Sequence, residues 1–370
     1  MPEAPPHVML DLRMVTGPLH GIARYALELA ARLPKLAPDW RFSGLTAPGG
    51  LPAGLGPLHP RLPLVASRAG FLTPLEQPAL AESLVRQRPS LFHATSFAMP
   101  LLWPGRLVAT LHDANHLALP ELYGRAQQLY YRAVVRPRAR LATALITVSD
   151  FSRDELARHL DLSPYRFQVI PQGVDARYAP RSPSEIARVR ARLGLPQGFL
   201  LCVGNAKAFK NLALLGRIAD RLPLPLVVLA GETDPARLGL PASVRCLAAQ
   251  GEDALPDLYA AASALLFPSR YEGFGLPALE AMASGIPVVA SDASALRELV
   301  GGAGVLVGPD DERGWVNAVL RLQRDPDFRR DAVQRGLARA SRLGWDLCAQ
   351  RTLGVYRRAL DLPAAEPAHP

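Results

Sequence analysis

Residues 264–290 read Ala-Leu-Leu-Phe-Pro-Ser-Arg-Tyr-Glu-Gly-Phe-Gly-Leu-Pro-Ala-Leu-Glu-Ala-Met-Ala-Ser-Gly-Ile-Pro-Val-Val-Ala. The apolar run Ala264 to Phe267 stops at Pro268, which cannot continue a ladder, so it predicts a short buried strand. A glycine turn follows, Glu272-Gly273-Phe274-Gly275. Pro277 then opens a helix, because its fixed φ suits a first turn where its missing N–H is not needed. Gly285 closes that helix, and Ile286 to Ala290 begins the next apolar strand. Strand, glycine turn, helix and strand make one βαβ unit of a parallel sheet. The N–H groups at such a helix start attract an anion, and the glycines let it come close. Two carboxylates frame the turn, Glu272 before the helix and Glu280 inside it. Taken singly, each reads as well as a solvated acid as it does as a group binding sugar hydroxyls.

The same grammar recurs on both sides. Phe199 to Val203 predicts a strand, ended by Gly204-Asn205-Ala206-Lys207-Ala208-Phe209-Lys210-Asn211 and followed by an amphipathic helix. Only three lysines occur, Lys35, Lys207 and Lys210. Two of them stand at this helix start, where their charge adds to the helix-end N–H groups and suits a diphosphate. In the first half, Val8 to Asp11 predicts a strand, and residues 14–21 a loop. Ile22 to Leu33 has helical spacing, so Gly21 marks a second phosphate cradle. Residues 44–66 read as Gly/Pro-rich loop around short strands. Arg106 to His112 predicts a strand that ends in His112-Asp113, and ligands of open parallel sheets sit at such ends. His93 also ends a strand and ranks below His112; His116 reads as packing or capping. Ser152 and Glu155 have capping-box spacing. Asp325-Pro326-Asp327 imitates a metal-binding pair, but its place between helical segments favours capping.

A length of 370 residues suggests two domains, and 49% hydrophobic content is ample for their cores. We expect no membrane span and no signal peptide, since no apolar run approaches the ~18 residues a span needs. Three scattered cysteines argue against a disulfide framework or a zinc site and fit a reducing cytoplasm. The net charge is +9. The least balanced stretch runs from Arg125 to Arg140, with Arg132, Arg136 and Arg138 between and no acid. Aromatic content of 6% and the lack of a nucleic-acid motif argue against nucleic acid as partner. A solvated helix face, and peripheral contact with an anionic membrane or a lipid phosphate, both stay open for this stretch.

Glu-Gly-Phe-Gly-Leu-Pro with Glu280 eight residues after Glu272 resembles the Glu-x7-Glu signature of retaining glycosyltransferases of family 4. Gly-Ile-Ala-Arg-Tyr at 21–25 is similar to that family's Gly-Ile-Gly-Arg-Tyr, and Leu-His-Asp at 111–113 resembles its sugar-site histidine setting. The resemblance implies an α/β architecture of the GT-B type: two facing Rossmann-like, doubly wound domains with a deep cleft between them. Their expected bounds are 1–180 for the acceptor side and 181–344 for the donor side. A helix over 345–362 would return to the first domain, and Pro363 to Pro370 would be disordered.

The resemblance also implies roles. Gly21, Lys207, Lys210 and the backbone at Phe274, Gly275 and Leu276 would bind the donor diphosphate. Glu280 would hold the ribose, Glu272 the donor sugar, and His112 would bind the sugar or orient the acceptor. Asn205 stands where many members have Arg, so Lys207 would take that role. Residues 248–251 would meet the base. The donor would be a nucleoside-diphosphate sugar, with no metal and no cofactor required. The acceptor would be a saccharide or a lipid-linked saccharide. The strings lean towards GDP-mannose and bacterial surface polysaccharide, with UDP-glucose as runner-up. Two rivals remain: a non-catalytic nucleotide-sugar-binding protein, and a glycoside hydrolase using Glu272 and Glu280 about 5–10 Å apart.

Overall fold

In the computed structural model the chain forms two compact units. The structure describes residues 4–17, 20–52, 55, 58–248, 251 and 254–363. The first unit takes the chain up to Gly173 and again from Trp345; the second is Val174–Gly344.

The first unit carries seven parallel strands: β1 (His7–Asp11), β2 (Arg41–Thr46), β3 (Leu64–Ala66), β4 (Leu91–Ala94), β5 (Arg106–Thr110), β6 (Ala144–Thr147) and β7 (Phe167–Val169). Their order is β3-β2-β1-β4-β5-β6-β7. Helices α1 (Gly21–Leu36), α2 (Glu76–Gln87), α3 (Asn115–Ala118), α4 (Arg125–Tyr130), α5 (Arg136–Leu141) and α6 (Asp150–Leu160) connect them. A π-helical turn, Tyr131–Val135, joins α4 to α5. The second unit holds α7 (Pro183–Leu193), β8 (Leu200–Val203), α8 (Leu212–Ile218), β9 (Leu226–Leu229), β10 (Arg245–Leu247) and α9 (Leu255–Ala261). It continues through β11 (Ala264–Phe267), α10 (Leu276–Ala283), β12 (Val288–Ser291), α11 (Leu296–Val300), β13 (Val305–Val307), α12 (Glu312–Arg324) and α13 (Pro326–Ala340). Its six parallel strands lie in the order β10-β9-β8-β11-β12-β13. The last helix, α14 (Trp345–Ala359), belongs to the first unit.

Helices cover both faces of these sheets, so strands such as Leu-Val-Val-Leu (β9) and Ala-Leu-Leu-Phe (β11) are buried throughout rather than alternating. In both sheets the chain reverses its direction of growth, between β1 and β4 and between β8 and β11. Ligands of doubly wound sheets bind beyond the strand ends at such points. Among the described residues, no helix is long and apolar enough to cross a membrane.

Three expectations need correction. The division falls at Gly173/Val174, not after residue 180. Val174 bridges to Gly344 and donates to the Leu343 carbonyl at 2.9 Å, while Tyr178 packs edge-on against Tyr259 of α9. These contacts fix the boundary. Second, residues 41–46 are a full strand. Gly44 sits in it because a Cβ there would lie 2.6 Å from Leu12 Cδ1, so this glycine marks close packing rather than a turn. Third, α6 is capped by Ser149, which accepts from Ser152 N at 3.0 Å, and Ser152 is buried inside the helix. Asp325 caps α13 through Phe328 N. Residues 364–370, expected to be disordered, lie outside the described residues.

Candidate functional site

In the second unit the loops after β8 and β11 leave the sheet at its switch point. The turn after β8 ends in Asn211, held at φ +55 while its side chain donates to the Pro309 carbonyl at 2.8 Å. Arg270, just beyond β11, donates its backbone N–H to the Phe209 carbonyl at 2.7 Å and forks onto Asp310 with both terminal nitrogens. Three loops are thereby tied together. Their product is one ion pair: Lys210 Nζ lies 2.6 Å from Glu272 Oε1, with both side chains mostly buried. The ammonium also lies 5.5 Å from the ring centroids of Phe209 and Phe267, where the ring faces favour a cation. Glu272 is fixed from its other side by its N–H, which donates to Ser294 Oγ at 3.0 Å.

Two residues further, Phe274 is buried and Gly275 takes φ +106, a conformation that L side chains rarely adopt. Leu276 then starts α10, whose first-turn N–H groups have no partners within the helix. A Cβ on Gly275 would stand 2.8 Å from Leu296 Cδ2 and 3.3 Å from Leu299 Cδ2. Gly275→Ala is therefore expected to destabilise the second unit by about 1–3 kcal/mol or more. A urea midpoint equal to wild type would show that the turn relaxes freely.

Glu280 is buried in α10. Burial first, and then the charge of Glu280, hold the Tyr259 hydroxyl well above the usual phenol range. Lys207, by contrast, is exposed, with its ammonium 5.8 Å from the Phe209 centroid. So the structure brings Lys210 and Glu272 into contact and seats Gly275, Leu276 and Glu280 on the adjoining helix. Lys207 is not joined to Glu272. Of residues 248–251, positions 249–250 lie outside the described residues.

Gly21 and His112 belong to the first unit. Gly21 is the first residue of α1, capped by His20, whose Nδ1 accepts from Ala23 N at 3.4 Å. His112 lies just past β5 and is only 9% exposed. Its Nε2–H donates to the Thr95 carbonyl at 2.9 Å, so Nδ1 is the acceptor and takes an N–H from Gln172 at 3.2 Å. Tyr25 of α1 meets the ring edge-on, centroids 4.9 Å apart. Burial lowers the His112 pKa to about 4, so the imidazole is neutral near pH 7. His93 is fully buried between Tyr356 of α14 and Thr110, a structural position. His116 packs on Tyr123 and Tyr131, as its packing reading implies. Among the described residues no three His, Cys, Asp or Glu side chains gather as a metal site.

Sequence reasoning missed Gln172, Thr95, Arg270 and Ser294. Arg270 lay inside the quoted stretch, yet nothing local pairs it with Asp310, forty residues on.

The family model for glycosyl transferases group 1 matches residues 197–325, and that for glycosyltransferase family 4 matches residues 19–178. The chain is 31% identical over 371 aligned positions to O-antigen chain mannosyltransferase B of Escherichia coli, covering 92% of this chain and 96% of that protein. It is 34% identical to the MMP alpha-(1->4)-mannosyltransferase of Mycolicibacterium hassiacum, over 61% of this chain and 57% of that one. Among solved structures, sucrose-phosphate synthase of Thermosynechococcus elongatus superposes with TM-score 0.79 at 22% identity, over 96% of this chain and 99% of that one. The Anabaena protein HepE, solved with UDP-glucose, gives 0.76 at 22% identity, over 96% of this chain and 100% of that one. The hydrolase reading of Glu272 and Glu280 is set aside on these grounds. With both halves matched and a relative aligned almost end to end, the chain belongs to glycosyltransferase family 4 and has the GT-B fold.

Proposed function

We propose that the protein moves a hexose, mannose from GDP-mannose, onto a glycan or lipid-linked saccharide, with retention of anomeric configuration. The Lys210–Glu272 pair beside the α10 helix start carries this reading. Departure of a nucleoside diphosphate builds negative charge on phosphate oxygens and positive charge on the sugar. Lys210 and the N–H groups at Gly275 and Leu276 would meet the first, without a metal. Glu272, once Lys210 turns to phosphate, is a carboxylate for the sugar beside its reacting carbon. Glu280 would hold the ribose. Lys207, being exposed, would add charge at the rim.

His112 enters as a neutral group. Its Nε2–H is committed to Thr95, so a sugar hydroxyl would compete with Gln172 for Nδ1. It is not the charged acid of the step. The names of the two mannosyltransferases support mannose; UDP-glucose remains the runner-up donor. Three free thiols support a reducing, cytoplasmic setting.

Thermal unfolding with GDP-mannose, UDP-glucose and free nucleoside diphosphates tests this. A donor at a hundred times its Kd stabilises by about 2.7 kcal/mol. For a unit of this size that is a rise in Tm of several degrees, ~2–4 °C per kcal/mol. No shift with any nucleotide sugar would overturn the proposal, and a shift with UDP-glucose alone would move the donor.

A further inference from the structure

We infer that the Lys210–Glu272 pair is an exchange latch, which sets the site to hold an intact nucleoside-diphosphate sugar and to release the bare diphosphate left after transfer. The inference rests on the donor reading given above. In that reading the two side chains have separate tasks, the cation for the diphosphate and the carboxylate for the sugar. Here they are bonded to each other, Nζ to Oε1 at 2.6 Å. Neither can take up its task without leaving its partner.

The pair is closed on itself. The Lys210 side chain is 14% exposed and that of Glu272 13%. Among the described residues Glu272 pairs with no second cation, and Arg270, two positions before it, pairs with Asp310 instead. Lys210 pairs with no second acid. The ring faces of Phe209 and Phe267 stabilise its ammonium but neutralise nothing. A charge so far from water is costly to leave without a partner. Nor does the pair hold the loops in place. Lys210 donates its backbone N–H to the Lys207 carbonyl at 2.9 Å, and Arg270 N–H ties the loop after β11 to the Phe209 carbonyl. Glu272 N–H donates to Ser294 Oγ at 3.0 Å, and its carbonyl accepts from Ala295 N at 3.4 Å. These contacts use main-chain atoms of both residues, so the side chains can trade partners while the backbone stays where it is.

Charge then separates the two ligands. A bare diphosphate that draws Lys210 away leaves Glu272 unpaired beside a second anion. One that leaves the pair closed meets a cation already neutralised by the carboxylate. Either way Glu272 counts against it. The intact donor brings hydroxyls that donate to the carboxylate while its diphosphate takes the ammonium, so both charges are satisfied at once. Sugar and diphosphate are therefore coupled in binding, and loss of the sugar weakens the hold on what remains. Transfer itself thus loosens the product.

Isothermal titration with GDP and with GDP-mannose tests the latch without any transfer; UDP and UDP-glucose replace them if thermal unfolding selects that donor. Glu272→Gln keeps the shape and removes the charge, and Glu272→Ala removes both. Each is expected to bind the bare diphosphate about tenfold more tightly than wild type, within the ~5–150-fold that coupled sites show. Neither should bind the nucleotide sugar more tightly. Glu272→Asp retains the charge and should bind the bare diphosphate no more tightly than wild type. Charge-removing variants that bind the bare nucleotide no tighter, or that tighten both ligands alike, would overturn the latch and leave the donor site standing. Equal tightening in the Asp variant would do the same, because it would trace the effect to repacking rather than charge. Wild type that binds neither ligand would overturn the donor site, and the latch with it.

Discussion

Lys210→Ala is expected to lower kcat/KM for sugar transfer by about 10²–10³-fold, the range seen when one preorganised donor to a developing anion is removed. The side chain has one place to be. Its ammonium lies between two aromatic faces and against Glu272, so the charge is aimed before any donor arrives. On the proposed function, deleting it would do two things at once: the leaving diphosphate would lose its cation, and Glu272 would become an unpaired acid beside that anion. Lys207→Ala provides the contrast. That lysine is exposed and stands outside the Lys210–Glu272 ion pair, so its loss should cost far less. Steady-state rates with the donor chosen by thermal shift would read both. Equal losses for the two lysines, or full activity without Lys210, would remove Lys210 from the site.

The largest effect on stability is expected at Arg13, which the charge pattern of the sequence does not single out. Its guanidinium is fully buried, bonded to both oxygens of Asp11 at 2.9 and 2.7 Å and to Glu76 at 3.2 Å. Tyr130 donates to the other Glu76 oxygen at 3.2 Å. Burial opposes the charge on Arg13, but Asp11 and Glu76 outweigh it and raise its pKa. Arg13→Met leaves two buried carboxylates without a cation, and breaking such a pair typically costs about 3–5 kcal/mol. Urea unfolding should show it; a loss under 1 kcal/mol, roughly the worth of a surface pair, would mean that water reaches the cluster.

Glu76→Gln should behave in the opposite way. Burial first raises the Glu76 pKa, with Arg13 working against it and Asp11 adding to the rise. A carboxyl with a raised folded pKa contributes stability below its unfolded value, and that contribution is lost as pH rises through the folded pKa. The variant lacks this loss. Its stability relative to wild type should therefore improve as pH climbs from about 4.5 upward.

Much of this was legible in the chain. The βαβ unit at 264–290 could be read because its strand is buried on both faces and its punctuation is Pro and Gly, each with one mechanical meaning. Glu272 and Lys210 were legible as types at strand ends. Their pairing was not, because it depends on Arg270 and Asn211 pulling three loops together over distances no local pattern encodes. His112 was found at its strand end, while its neutral state follows from burial and its tautomer from Gln172 and Thr95, which only folding brings there. Gly44 misled for a physical reason: a glycine needed for close packing looks the same as one needed for a turn.

The bridge between Val174 and Gly344 gives the chain a modular character. Both ends of residues 174–344 meet at one seam, so that block is an insertion within a host that closes behind it through α14. Recombination at this seam could exchange the entire block between relatives as a cassette while the host keeps Tyr356 packed on His93. A gene cut after residue 344 would instead strip the host of its final helix.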